Sequence, residues 1–148
     1  MLLYICVLIM VLPNALLHVV SLNVQGGIAN KSSLHDFVAL VGQFDTVCIQ
    51  ERWLTNDTDF YISNYSKLVR NRNKSGKVKK NAKRGSGGVI MLYRSEIQNG
   101  IVKCASKSNG IIWVKLKKDI FGLHQRCVFS LCVYQTKKLP NVRPGTHT

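Results

Sequence analysis

Three observations predict a mixed α/β layered domain. Apolar, β-branched runs of strand length recur along the chain. One segment between the first two such runs carries apolar residues at helical spacing. The resulting order of strand, helix, strand and then several strands is that of layered α/β folds. At 148 residues the chain allows one modest domain large enough to bury a core, and a hydrophobic share of 46% argues against wholesale disorder.

Leu16-Leu17-His18-Val19-Val20-Ser21-Leu22 predicts a buried strand, ended by Asn23-Val24-Gln25-Gly26-Gly27, where two glycines mark a turn. Ser33 followed by Asp36 has the form of a capping box, and Leu34, Phe37, Val38 and Val41 predict a helix over roughly 33–42. Asp45-Thr46-Val47-Cys48-Ile49-Gln50-Glu51 is a second buried strand finishing on a carboxylate. Residues 53–65 are less regular, with a turn or short helix start at Asn56-Asp57-Thr58. Val89–Tyr93 resumes as a strand after Gly85-Ser86-Gly87-Gly88; residues 97–104, 110–116 and 127–134 predict three more. Phe121-Gly122 is expected in a hairpin turn between the last two. The organisation expected is an apolar leader over 1–15, a domain over 16–140 and an unstructured tail over 141–148.

The leader is ambiguous. Residues 1–12 are almost wholly apolar, which is short for a membrane span of about 20 residues. The length suits the apolar part of a signal peptide, but no Lys or Arg precedes it. A signal or anchor, the only route to a membrane here, stands beside a simple N-terminal extension.

Charge is the outlier. Lys+Arg total 21 against Asp+Glu 7, a net +14, which attracts polyanions such as nucleic acid or an anionic surface. Many of the cations fall in residues 70–84, where Lys74, Lys77, Lys79, Lys80, Lys83 and Arg84 are interleaved with Asn, Ser and Gly. That composition cannot build a core and predicts an exposed basic loop, either a solvated charge run or a phosphate-contacting one. The five cysteines show no CxxC pair and no zinc spacing. Cys48 and Cys132 sit in strand-like runs and are expected as small buried hydrophobes in a reduced interior. Trp53 and Trp113 are expected in core packing rather than as base-stacking platforms. The glycine-rich turn at 85–88 lacks the Lys-Ser/Thr of a nucleotide-binding loop.

Several segments together resemble the endonuclease/exonuclease/phosphatase family, most of all the endonucleases of non-LTR retrotransposons. Val20-Ser21-Leu22-Asn23-Val24-Gln25-Gly26 is similar to that family's strand and "WNVxG". Phe44–Leu54 is similar to "DIIxLQETWL". Gly87-Gly88-Val89-Ile90-Met91, Ile112-Trp113-Val114-Lys115-Leu116 and Leu131-Cys132-Val133-Tyr134 resemble "GGVAI", "IWVKL" and "xxVYxPP". The resemblance covers about residues 16–140 and implies part of a four-layer α/β sandwich bearing a magnesium-dependent, DNA-nicking phosphodiesterase site. It implies Asn23 as a phosphate- or water-binding amide, Glu51 as the metal ligand, Gln50 as its positioning neighbour and Tyr134 as a phosphate contact. DNA is the implied partner and the nucleus the implied compartment.

The chemistry suits those residue types. Phosphodiester hydrolysis needs charge on phosphate oxygens neutralised and a water activated, and magnesium binds through one or two carboxylates. Departures are equally visible. Leu22 replaces the tryptophan, Gln135-Thr136 replaces the proline-rich turn, and neither "GDFN" nor "SDH" is found in these residues. None of His18, His35, His124 or His147 matches the family's histidine. The expectation is therefore a truncated domain, inactive alone and self-associating through uncovered sheet edges. The alternatives are a non-catalytic basic nucleic-acid-binding module, or a retroelement relic without present function. Locally, Asn23 is also a common turn residue, Glu51 a possible solvated carboxylate and Tyr134 an ordinary strand tyrosine.

Overall fold

The computed structural model describes residues 4–13, 15–24, 28–31, 34–50, 61–70, 88–106, 111–123 and 127–132. They form a mixed α/β structure with a five-stranded sheet and a smaller three-stranded one. In chain order the elements are β1 (Tyr4–Leu12), β2 (Ala15–Asn23), α1 (Ile28–Lys31), α2 (His35–Val41), β3 (Thr46–Gln50) and β4 (Tyr65–Arg70). Then follow β5 (Val89–Arg94), a 3-10 turn (Ser95–Gly100), β6 (Ile101–Cys104), β7 (Ile111–Leu116), α3 (Lys118–Phe121) and β8 (Cys127–Cys132). The large sheet runs β1-β2-β3-β5-β4, and the small one β6-β7-β8. Among the described residues only β2–β3 is a parallel pair, and α1 and α2 lie in the connection between them. A parallel pair cannot be joined by a tight turn and needs a crossover of this kind.

The strands alternate between two cores, as a period-2 side-chain repeat requires. On one face of the large sheet Val20, Leu22, Val47, Ile49, Ile90 and Leu92 pack with Phe37 and Val41 of α2. On the other face Leu17, Val19, Cys48, Val89, Met91 and Tyr93 pack with Ile112, Val114 and Leu116 of β7. Helix, large sheet and small sheet are thus stacked, and β3 is buried from both sides over Thr46–Ile49.

Several elements differ from the sequence expectation. The apolar residues 4–12 form β1, antiparallel to β2 along its whole length. The α2 helix begins after Leu34, whose side chain makes no capping hydrogen bond, while Ser33 lies outside the described residues. The strand expected over 97–104 begins only at Ile101, because Ser95–Gly100 coils into the 3-10 turn. Gly100 permits this: a Cβ there would come within 2.5 Å of the Phe121 ring. Phe121-Gly122 lies in the β7–β8 connection as expected, as a short helix ended by Gly122 at φ 65°. Trp113 is half-buried on the face of β7 opposite Ile112 and Val114, since it sits at the alternate position in the strand. Arg70, assigned to the basic loop, is the last residue of β4, a strand the sequence did not reveal. The rest of that loop, Trp53, the side chain of Cys132 and the tail over 141–148 lie outside the described residues.

Among the described residues no helix is long and apolar enough to cross a membrane. Ile49 is fully buried at the centre of the α2-side core. Ile49→Ala is expected to cost about 2–5 kcal/mol, from lost transfer energy plus an incompletely collapsed cavity; urea unfolding checks this, and a loss under 1 kcal/mol would contradict the packing described.

Candidate functional site

The parallel pairing of β2 and β3 makes Asn23 and Gln50 register partners at the C-terminal ends of both strands. The ladder continues one step further, with the Val24 amide donating to the Gln50 carbonyl at 3.2 Å. The same transverse row runs on through Val89 of β5 to Arg70 of β4. Register partners share a sheet face, so Ser21, Asn23, Gln50 and Arg70 lie on the face that also carries Val19, Cys48 and Val89.

Two contacts fix this corner. Gln50 Nε2 donates to Ser21 Oγ at 2.8 Å, which sets the plane of the Gln50 amide. Lys31, the last residue of α1, donates from Nζ to the Val24 carbonyl at 2.6 Å, next in the chain to Asn23. On the far side of the row, Arg70 Nη2 donates to the Ser106 carbonyl at 3.0 Å, and its Nε is buried without a hydrogen-bond partner. Amides, a hydroxyl and the Lys31 ammonium at one end of a sheet suit the holding of a phosphate: the amide N–H groups donate to its oxygens and the cation offsets its charge, while Arg70, three strands along the row at about 4.8 Å a step, lies too far off to share that phosphate.

They do not by themselves suit a magnesium ion, which takes carboxylates. Among the described residues no three His, Cys, Asp or Glu side chains come together. Glu51 follows Gln50 in the chain and lies outside the described residues, as do Tyr134, Lys74, Lys77, Lys79, Lys80, Lys83 and Arg84. Of the residues singled out in the sequence, the structure therefore brings together Asn23 and Gln50. Sequence reasoning missed Lys31, whose approach to Val24 has no local signal. It also missed the position of Arg70, which the neighbouring cations disguise as loop.

The opposite end of the sheet is built differently. Asp45 Oδ2 accepts the His18 amide at 2.8 Å and lies 3.3 Å from His18 Nδ1. The Asp45 amide donates to the His18 carbonyl, and the Arg94 amide donates to the Asp45 carbonyl, both at 2.9 Å. Arg94 Nε comes within 3.3 Å of Asp45 Oδ1, an ion pair whose angle does not make a hydrogen bond. This His–Asp pair has the look of a proton-relay dyad, but five residues of strand, about 16 Å, separate His18 from Asn23. It ties strand starts together and takes no part at the other end.

No protein-family model matches the chain, and no curated protein matches it.

Among the described residues Cys48 is the one strongly shifted group. Burial with no compensating charge pushes its thiol up to about 12 from 9.0, so it is no nucleophile at neutral pH. Because the folded state disfavours the thiolate, Cys48 contributes stability below pH 9 that is lost progressively as pH rises towards about 12. Native protein at pH 8 is expected to leave Cys48 unmodified by iodoacetamide and unfolded protein to alkylate it, as read by peptide mass spectrometry. Rapid native labelling would refute the buried placement.

Proposed function

We propose that the chain carries part of the site of a magnesium-dependent phosphodiesterase of the DNA-nicking kind, within an endonuclease/exonuclease/phosphatase-like four-layer sandwich. The observation that carries this reading is the register that sets Asn23 beside Gln50 at paired strand ends, immediately before Glu51. Ligands of open α/β sheets bind beyond such C-terminal strand ends. The packing of α2 on one side of the large sheet and of the small sheet on the other supports the layered part of the reading.

In this reading the Asn23 amide donates to a non-bridging phosphate oxygen. Gln50, braced by Ser21, keeps the neighbouring strand end in place. Lys31 adds positive charge beside Val24, next in the chain to Asn23, and Arg70 adds a more distant cation at the far end of the row. Magnesium, when bound through Glu51, would neutralise charge building on the phosphate, and Tyr134 would contact the same group. Strand alternation puts Gln50 on the face of Asn23, so the reading requires the chain to leave that alternation at Glu51. A single carboxylate leaves most of the magnesium shell to water, which makes binding weak and cleavage close to background.

One variant, Glu51→Ala, tests this with two readouts. Manganese(II) added as a magnesium substitute is expected to broaden the side-chain amide resonances of Asn23 and Gln50 in the wild type and not in the variant. Plasmid nicking in magnesium is expected to stay near background in both. Broadening that persists in Glu51→Ala, or is absent from Asn23, sinks the metal assignment.

The charge distribution favours a second reading, a basic nucleic-acid-binding module without catalysis. The first 30 residues contain no Lys, Arg, Asp or Glu, so the whole net +14 resides in residues 31–148. Binding to duplex DNA is then expected to be sequence-indifferent, to weaken steeply with salt and to be untouched by Glu51→Ala. Replacing Lys77, Lys79, Lys80 and Lys83 with Gln should flatten the log–log salt slope by up to about 3.6, at roughly 0.9 per phosphate contact. An unchanged slope excludes these four lysines as the contact.

A further inference from the structure

We infer that β1 is a self-pairing edge through which two copies of this chain form one continuous antiparallel sheet. All nine residues of β1, Tyr4–Leu12, pair with β2 on one side, and among the described residues no strand pairs the other. The strand is unbroken by bulge or proline and carries no charge. Val7, Leu8 and Ile9 are 53–55% exposed and Val11 78%. Natural sheets protect such edges with lysine, proline, a bulge or a covering element; β1 has none of these among the described residues.

Two physical arguments choose the occupant. The open side of a strand presents a row of amides and carbonyls that must be hydrogen-bonded wherever water is excluded. A lipid surface would bury the apolar side chains and leave those groups unpaired, whereas another strand satisfies both. Charge then selects which strand. Two chains of net +14 repel, yet residues 1–30 contain no Lys, Arg, Asp or Glu, so β1 against β1 places no charged side chain in the strand-to-strand contact.

Antiparallel pairing about a two-fold axis normal to the sheet closes the contact on itself. It joins two five-stranded sheets into one of ten, near the upper limit of open twisted sheets. It also sets Val7, Ile9 and Val11 of each copy beside their counterparts on one face, at cross-strand distances of roughly 4.5–5.5 Å. Of the described cations, Lys67, Arg70 and Arg94 lie on β4 and β5, at the opposite side of the large sheet from β1.

Sedimentation of the full chain across a concentration series is expected to give a discrete species of twice the monomer mass. Ile9→Lys and Val11→Lys, each at an exposed position, should raise the dissociation constant at least about tenfold, because a symmetric contact meets every substitution twice. Hydrogen exchange of the unmodified chain gives a readout independent of any variant: alternate amides of β1 should be protected in proportion to dimer population. A monomer at all concentrations overturns the proposal. So does association that both lysine variants leave intact, or β1 protection that appears only with anionic phosphatidylserine vesicles.

Discussion

The parallel pairing of β2 with β3 is the constraint on which the rest of the structure depends. β3 is only five residues long, but Val47 and Ile49 face one core while Thr46 and Cys48 face the other. A one-residue slip would exchange the two sets, sending Gln50 towards α2 and Ile49 towards the small sheet. Register is therefore enforced by burial on both faces, and every functional placement inherits it. The Asn23–Gln50 meeting is a consequence of where Val20, Leu22, Val47 and Ile49 must sit.

The two ends of the large sheet divide labour. At the start of β3, Asp45 accepts the His18 amide on its carboxylate and the Arg94 amide on its carbonyl, and Arg94 Nη2 donates to the Gly42 carbonyl at 2.6 Å. Tyr65 adds its hydroxyl, donating to the carbonyls of Val41 and Phe44, with the Arg94 guanidinium 5.9 Å from its ring. Burial pushes the Tyr65 pKa up, against the opposing pull of Arg94, so the hydroxyl stays a donor. These contacts join α2, β2, β3, β4 and β5 at one end. The other end carries Ser21, Asn23, Gln50 and Lys31, with Arg70 at the far end of the same row; these are the amides, hydroxyl and cations on which the proposed site rests. A sheet end held by many hydrogen bonds, opposite the end proposed as a site, is an arrangement in which a site would be positioned by distant packing.

Much of the strand content was legible because its signal is local. Leu16–Leu22, Thr46–Gln50, Val89–Tyr93 and Ile111–Leu116 are apolar runs of the right length, and β2, β3, β5 and β7 occupy them. The helix at Phe37–Val41 was legible for the same reason. β4 was not, because Lys67 and Arg70 interrupt the pattern of a strand that is half-buried throughout. Nor was the 3-10 turn at 95–100, whose lone apolar Ile97 is indistinguishable in sequence from the start of β6. At the site, the amides of Asn23 and Gln50 could be picked out by their place after apolar runs. The hydroxyl of Ser21 and the ammonium of Lys31 could not, since their partners are 29 and 7 residues away.

By itself the sequence determined which runs are apolar enough to be the central strands, and that the charged side chains are confined to residues 31–148. Those properties depend on neighbours along the chain. Tertiary structure alone decided that residues 4–12 become an edge strand and that Arg70 ends a strand. It also decided that Asn23 faces Gln50 across a parallel pair. Such outcomes depend on which strand lies beside which, and that is set by burying two opposed faces at once, a condition no local window of sequence contains.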